Sequence, residues 1–223
     1  MLVFAFVIFG LDLAWRRKTD AGDTAFPVLA VIGALATLAA TLFLWAQANS
    51  GALQLAVIAT DSGNAIPMLA VDRFSLFFKV YAMLTVALVG LMATDYIRAR
   101  TPFRGEFYAL TLLAGLALML VAGSTNLVMI FLAFEFLSIT SYLLTGYLRD
   151  NALSVEAALK YFLYGAVAST VMLYGFSLLY GATGALDLHG IAVGLSEADP
   201  SIQQFLVIPA IVLVVVGLGF KIA

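Results

Sequence analysis

The chain has 223 residues and no cysteine, and its 11 Lys plus Arg against 13 Asp plus Glu leave a formal net charge of −2. Charged residues make up 11% and the nine apolar types 64%, with a mean hydropathy of +1.08, whereas a soluble domain carries about 25% charged residues. This excludes an ordinary cytoplasmic enzyme, a disordered chain and a disulfide-built secreted domain. The missing basic excess speaks against nucleic acid as a partner, and no Cys with a single His speaks against Fe–S, zinc-finger and haem sites. What remains is an all-α, polytopic membrane protein.

Seven apolar segments follow along the chain. A helix needs about 20 mostly apolar residues, rising about 1.5 Å each, to cross the hydrocarbon core of about 30 Å. The first segment, 1–14, is too short, and it is no signal peptide. The basic cluster Arg16-Arg17-Lys18 follows it rather than precedes it, and no small-residue cleavage site closes it. Segment 26–46 carries Pro27, suited to a first helical turn. Segments 72–93, 107–122, 126–148, 155–180 and 205–223 complete the set. Only Gly123-Ser124-Thr125 separates the fourth from the fifth, so these two are predicted to be antiparallel neighbours. The last segment is still apolar where the sequence stops at Ala223.

Basic residues set the expected orientation. Arg16, Arg17 and Lys18, then Arg98, Arg100 and Arg104, then Arg149 fall in alternate loops. The intervening loops, 47–71, 123–125 and 181–204, have no Lys or Arg and hold Asp61, Asp187, Glu197 and Asp199. The basic loops are therefore expected in the cytoplasm and the N-terminus outside.

Ionisable groups inside the apolar segments cost about 2.5–3.5 kcal/mol each near mid-membrane and persist mainly where they face a bundle interior or a wet cavity. Glu135 is the sharpest case. It lies about nine residues into the fifth segment, roughly 13 Å from its outer end, too deep for a carboxylate to reach water. Ser138, Tyr142 and Thr145 follow it at helical spacing, so the four share one face. Lys160 lies in the sixth segment with Glu156 four residues before it, the favourable acid-then-base order, and Tyr164 four residues after. It reads either as a snorkelling ion pair or as an element of a proton path. Lys221 follows Gly217 and Gly219, whose low helix propensity predicts a discontinuous helix beside a charge. Arg73 and Lys79, at the outer start of the third segment, are expected to snorkel outward. His189 is expected to be solvated in an outer loop, and Asp12 to act as a cap or to contact Arg16. Desolvation disfavours the charged forms of an acid and a lysine, and proximity favours them again. Moving such a pair apart and together is therefore a proton switch that needs no redox group.

Longer motifs say more. Gly105-Glu-Phe-Tyr-Ala-Leu, Phe134-Glu-Phe-Leu-Ser-Ile-Thr-Ser-Tyr-Leu-Leu, Ser154-Val-Glu-Ala-Ala-Leu-Lys-Tyr-Phe-Leu-Tyr-Gly-Ala and Leu179-Tyr-Gly-Ala-Thr-Gly closely resemble subunit N of the proton-pumping NADH-quinone oxidoreductase, respiratory complex I. Asp72-Arg-Phe-Ser-Leu-Phe-Phe resembles the third-helix opening of the wider antiporter-like family, and Gly217-Leu-Gly-Phe-Lys-Ile-Ala its broken seventh helix. The stretch 154–184 favours subunit N over the sister subunits and over cation/proton antiporter subunits. The resemblance implies a bundle of about 14 helices built on two inverted units, the first starting at the fourth helix. It divides this chain into helices one to three (1–104) and the start of the first unit (105–223), with the eighth helix and the second unit lying beyond.

The resemblance also assigns residues. Glu135 matches the family's fifth-helix glutamate, Lys221 the lysine at the seventh-helix break and Lys160 a sixth-helix lysine of subunit N. Glu156, Tyr164, Ser138 and Tyr142 are the supporting polar groups. No cofactor is expected in this chain: NAD, FMN, Fe–S clusters and quinone belong to other subunits. The implied partners are other membrane subunits of the complex, the lipid bilayer and, indirectly, the quinone pool. The implied location is a bacterial plasma membrane. A subunit of a multi-subunit cation/proton antiporter and a non-transporting assembly piece are the competing readings.

Overall fold

A computed structural model describes residues 1–15, 22–49 and 68–222. The expectations resting on Arg16, Arg17, Lys18 and Asp61 lie outside the described residues. The helices are α1 (Leu2–Trp15), α2 (Gly22–Asn49), α3 (Arg73–Arg100), α4 (Arg104–Gly123), α5 (Leu127–Thr145), α6 (Ala152–Thr183) and α7 (Leu188–Glu197). The single turn α8 (Pro200–Ile202) and a π-helical stretch, Gln203–Val207, lead into α9 (Ile208–Ile222). Among the described residues six stretches are long and apolar enough to cross a membrane: Ala25–Ala48, Arg73–Arg100, Arg104–Gly123, Leu127–Thr145, Ala152–Thr183 and Phe205–Ile222. Leu2–Ala14 is apolar but shorter. Among the described residues β pairing is limited to two isolated bridges.

Short polar side chains start α3, α5, α6 and α7 by accepting backbone N–H bonds. Asp72 and Ser75 form a reciprocal capping box on α3: Ser75 N donates to Asp72 Oδ1 at 2.7 Å, and Asp72 N donates to Ser75 Oγ at 3.1 Å. Asn126 starts α5 and Asn151 starts α6 by accepting from Val128 N and Leu153 N. Asp187 starts α7 by accepting from Gly190 N at 2.7 Å. Gly184 closes α6 at φ 69°, a left-handed conformation that only glycine adopts without steric cost. The α4 N-terminus has no cap of its own. Asp12 of α1, buried, accepts from Gly105 N at 3.3 Å, and the Tyr147 hydroxyl accepts from Phe107 N at 3.1 Å. Asp12 thus caps a helix, and the capped helix is a neighbour; its expected contact with Arg16 lies outside the described residues.

Two apolar clusters hold the helices together. Ile8, Ala34, Val86, Tyr108 and Leu112 join α1 to α4. Leu127, Met172, Phe176 and Ile191, with Phe134, Val214 and Leu218 against them, join α5, α6, α7 and α9. The α4–α5 hairpin links the two clusters, as the three-residue turn predicts. At the hairpin tip, backbone bonds tie three segments into a small clamp. Ala70 N donates to Gly123 O at 2.7 Å, Thr125 N to Met68 O at 3.1 Å, Leu127 N to Leu186 O at 2.9 Å and Leu188 N to Thr125 O at 3.0 Å. Arg98, Arg100, Arg104 and Arg149 gather at the opposite end of these helices, as the alternation of basic loops predicts.

One expectation is corrected. The break predicted near Gly217 and Gly219 is not there: α9 continues through both glycines to Ile222, and the irregular turn lies earlier, at Gln203–Val207. Gly217 serves packing instead. A Cβ on it would meet Met172 Cβ at 2.5 Å and the Ala168 carbonyl at 2.8 Å. The missing side chain lets α9 lie directly on α6, and that contact outweighs the weak helix propensity of glycine.

Candidate functional site

The close approach of α9 to α6 sets the position of Lys221. It follows Gly217 by one helical turn, so it shares the face that packs on α6. Its ammonium has three N–H donors, and each finds an oxygen. Nζ donates to Ser138 Oγ on α5 at 2.7 Å, to Ser169 Oγ on α6 at 3.0 Å and to Glu135 Oε1 on α5 at 3.3 Å. The Phe134 ring centroid lies 5.9 Å away. Only 8% of the Lys221 side chain is exposed, against 27% for Glu135, so the lysine is the more buried member of the pair.

Ser169 completes a directed chain. Its hydroxyl accepts from Lys221 and donates to Glu135 Oε1. Lysine, serine and glutamate thus form an unbroken hydrogen-bond relay beside their direct contact. Ser138 is different: its hydroxyl donates to Phe134 O at 2.8 Å, and its oxygen takes the lysine proton donor. Tyr142 lies one turn beyond Ser138 on the same face of α5. Its hydroxyl fits over Gly165, where any Cβ would collide with it, and its ring packs edge-on against Tyr161 at 4.8 Å between centroids.

Glu135, Ser138, Tyr142 and Lys221 therefore converge, as the shared face on α5 predicts. Ser169 is the member that sequence reasoning missed. Its signal is the small-residue stripe on α6: Gly165, Ala168, Ser169, Met172, Gly175 and Phe176 are buried at helical spacing, and Ser169 is the hydroxyl among them.

Lys160 does not join this group. It lies nine residues from Ser169, half a turn round the helix, and pairs with Glu156 on the exposed face of α6. Its side chain is 64% exposed at about 12 Å from the Ala152 end. Tyr164 is exposed on the same side. Lys79 reaches toward the hairpin-tip end. Its Nζ lies by the C-terminus of α4, 3.3 Å from where a Cβ on Gly123 would stand, at the negative end of that helix dipole. Arg73 and His189 are exposed.

At the arginine end, Arg149 Nη2 pairs with Glu106 Oε2 at 2.5 Å. Burial, then the Glu106 carboxylate, push the Tyr147 hydroxyl well above the usual tyrosine range. It therefore stays protonated while its oxygen accepts from α4.

Residues 124–223 match the family model described as NADH:quinone oxidoreductase/Mrp antiporter, TM. Over 156 residues (70% of this chain, 31% of the relative) the sequence is 42% identical to NADH-quinone oxidoreductase subunit N 2 of Koribacter versatilis. It is 37% identical over 224 residues, the full chain and 40% of the relative, to NAD(P)H-quinone oxidoreductase subunit 2 of Gloeothece citriformis. The fold matches a chain of respiratory complex I from Thermus thermophilus with a TM-score of 0.69 and 29% identity, covering 99% of this chain and 43% of that one. It also matches a chain of an archaeal membrane-bound sulfane sulfur reductase at 0.73 and 21% identity, covering 98% and 43%, a likeness of fold alone. The chain thus spans about a third to two fifths of the length of the relatives it matches. The family match covers the residues that build the Glu135–Ser169–Lys221 relay, and the identity extends along the helices before it: the chain is similar in sequence and fold to membrane subunits of quinone oxidoreductases, subunit N among them.

Proposed function

We propose that the chain carries a proton-transfer station of a proton-pumping quinone oxidoreductase. Lys221 is the group that loads and releases the proton, and Glu135 is its counter-charge. The observation that carries this reading is the buried ammonium within a membrane span, its three donors met by Glu135, Ser138 and Ser169. A charge at such depth is retained where it moves ions or protons. Glu135 is in contact with the ammonium, and its displacement, or a competing charge on a neighbouring subunit, is the signal for the lysine to pass its proton on. The proton leaves Nζ along a hydroxyl chain in which each oxygen accepts one proton as it gives up another. Ser169 offers that step toward Glu135, and Tyr142 with Ser138 offers a second contact toward the arginine end.

Quinone reduction on other subunits drives the cycle, and NAD, FMN, Fe–S clusters and quinone sit there. The partners are further membrane subunits. The location is a bacterial plasma membrane with the arginine-bearing loops inside. The division into 1–104 and 105–223, with the relay wholly in the second part, belongs to the same proposal. Lys160, Glu156 and Tyr164 form a separate polar cluster on the opposite face of α6, where a neighbouring polar surface extends the path. The relationship to Mrp antiporters favours, as the second reading, a cation/proton antiporter subunit with the same station and no redox coupling.

The test is proton pumping and quinone-reductase activity in membranes whose complex contains the variant chain, with assembly verified. Glu135→Ala and Glu135→Gln are expected to lose most of both, and Glu135→Asp to keep part. Wild-type rates for Ala and Gln alike refute the role. Pumping that follows added Na⁺ or K⁺ gradients without quinone turnover selects the antiporter reading.

A further inference from the structure

Two cavities meet at the arginine end of the bundle, and they differ in character. One, of about 420 Å³, is an apolar groove between α4, α5 and the start of α6, lined by Leu110, Ile139, Leu143, Leu159 and Phe162. Ile139, Leu143, Leu159 and Phe162 are all exposed large hydrophobics, so the groove opens sideways, between the membrane-spanning helices. The other, of about 450 Å³, is polar and lies beyond the helix ends, with Tyr96, Arg100, Thr101, Arg149 and Asn151 in its wall. Tyr147 and Arg149 line both. Each volume lies in the range of about 300–1,000 Å³ typical of ligand sites.

The charges are placed for an anion. Arg149 spends one nitrogen on Glu106, and its side chain is still 61% exposed, so part of its five-donor fork faces the polar cavity. Arg100 lies flat on the Tyr96 ring at 3.9 Å, which fixes its plane at the cavity wall. Asp150 is the acid in that wall and Glu106 is paired with Arg149, but with Arg98 and Arg104 at the same end of the helices the arginines there still outnumber Asp95, Glu106 and Asp150. The apolar groove runs from this point down the membrane-spanning helices. A bivalent occupant is implied, with an anionic head at Arg100 and Arg149 and an apolar tail below it.

We propose that the paired cavities bind an anionic phospholipid from the leaflet on the arginine side, its phosphate between Arg100 and Arg149 and one acyl chain in the groove beside Leu143. Basic pockets between membrane helices hold lipid head groups in this way. The groove reaches Tyr142 of the Lys221 site, whereas the polar head-group cavity shares none of that site's residues, and the lipid reading does not rest on proton transfer. A helix of another protein is the competing occupant of the groove, but it leaves the arginine pair without an anion.

The experiment is native mass spectrometry of the full chain purified in mild detergent and titrated with phosphatidylglycerol or phosphatidylcholine of the same acyl chains. Phosphatidylglycerol is expected to be retained at least fivefold more tightly. Arg149→Gln and Arg100→Gln are each expected to remove about fivefold of that preference, the factor set by ~1 kcal/mol per arginine near a membrane surface. Arg100→Gln leaves the Glu106 pair intact, so it still decides the matter if Arg149→Gln folds poorly. Leu143→Trp, a substitution at an exposed position, is expected to weaken both lipids by filling the groove. Equal retention of the two lipids, or an unchanged preference in Arg100→Gln, overturns the head-group assignment. Undiminished binding in Leu143→Trp overturns the groove and leaves it to a protein partner.

Discussion

Ser169 makes Glu135 and Lys221 one system. Hydroxyls inside helices usually donate to the carbonyl four residues back, and most here do: Thr111 to Phe107 O, Ser138 to Phe134 O and Thr170 to Ala166 O. Ser169 donates across to Glu135 instead. A lone serine in an apolar run carries no charge and no periodicity, so only the packing face of α6 marks it. Hydrogen bonds to charged groups contribute about 1.5–3 kcal/mol. Ser169→Ala is therefore expected to slow proton transfer roughly tenfold or more, and Ser169→Thr to restore part of the rate. Pumping measured in assembled membranes checks both, and an Ala variant at the wild-type rate removes Ser169 from the path. Lys160 makes the contrasting point. Its spacing from Glu156 is legible in the sequence, but its direction is not. Lys160→Ala is expected to lower pumping with assembly intact, and an unchanged proton-to-electron ratio reduces the pair to a helix-surface anchor.

Among the elements, α9 shows how one glycine sets a site. Gly217 meets a backbone carbonyl and a Cβ of α6, neither of which can swing aside. Gly217→Val is expected to cost about 1–3 kcal/mol through overpacking and to push Lys221 away from Ser169. Gly219 has nothing within 4 Å of its would-be Cβ, so Gly219→Ala is expected to hold or raise stability by up to about 1 kcal/mol through helix propensity. Thermal unfolding of the two variants in the same detergent checks the pair. If Gly217→Val unfolds no earlier than Gly219→Ala, close α6–α9 packing is not what holds Lys221. The sequence made both glycines look alike, because propensity is local and the neighbour that needs Gly217 lies about 45 residues earlier. The same holds for α4, whose first turn is capped by Asp12 and Tyr147 from other parts of the chain.

For the whole molecule, the helices alternate so that Arg98, Arg100, Arg104 and Arg149, from two loops, share one end and the backbone clamp closes the other. The expected orientation puts the arginine end in the cytoplasm, because basic residues resist translocation. The chain has no native cysteine, so single cysteines report cleanly. A cysteine at position 100 is expected to be protected from a membrane-impermeant reagent in intact cells, and one at position 189 to be labelled. Labelling at 100 from outside reverses the orientation and, with it, the leaflet that supplies the proposed lipid.

Composition and apolar segment length by themselves determined that the chain is a helical membrane bundle, because crossing hydrocarbon demands long apolar helices whose backbone bonds are internal. Residue spacing on α5 determined that Glu135, Ser138 and Tyr142 face one way, because helical period is a property of the local chain. The motifs determined which proteins the chain resembles. Only the tertiary structure decided that α9 runs unbroken to Lys221, that Ser169 links the lysine to the glutamate, that Lys160 faces away, and that Asp12 and Tyr147 cap α4. Each of these depends on which backbone approaches which, and that is fixed by packing between segments far apart in sequence rather than by the preferences of any one of them.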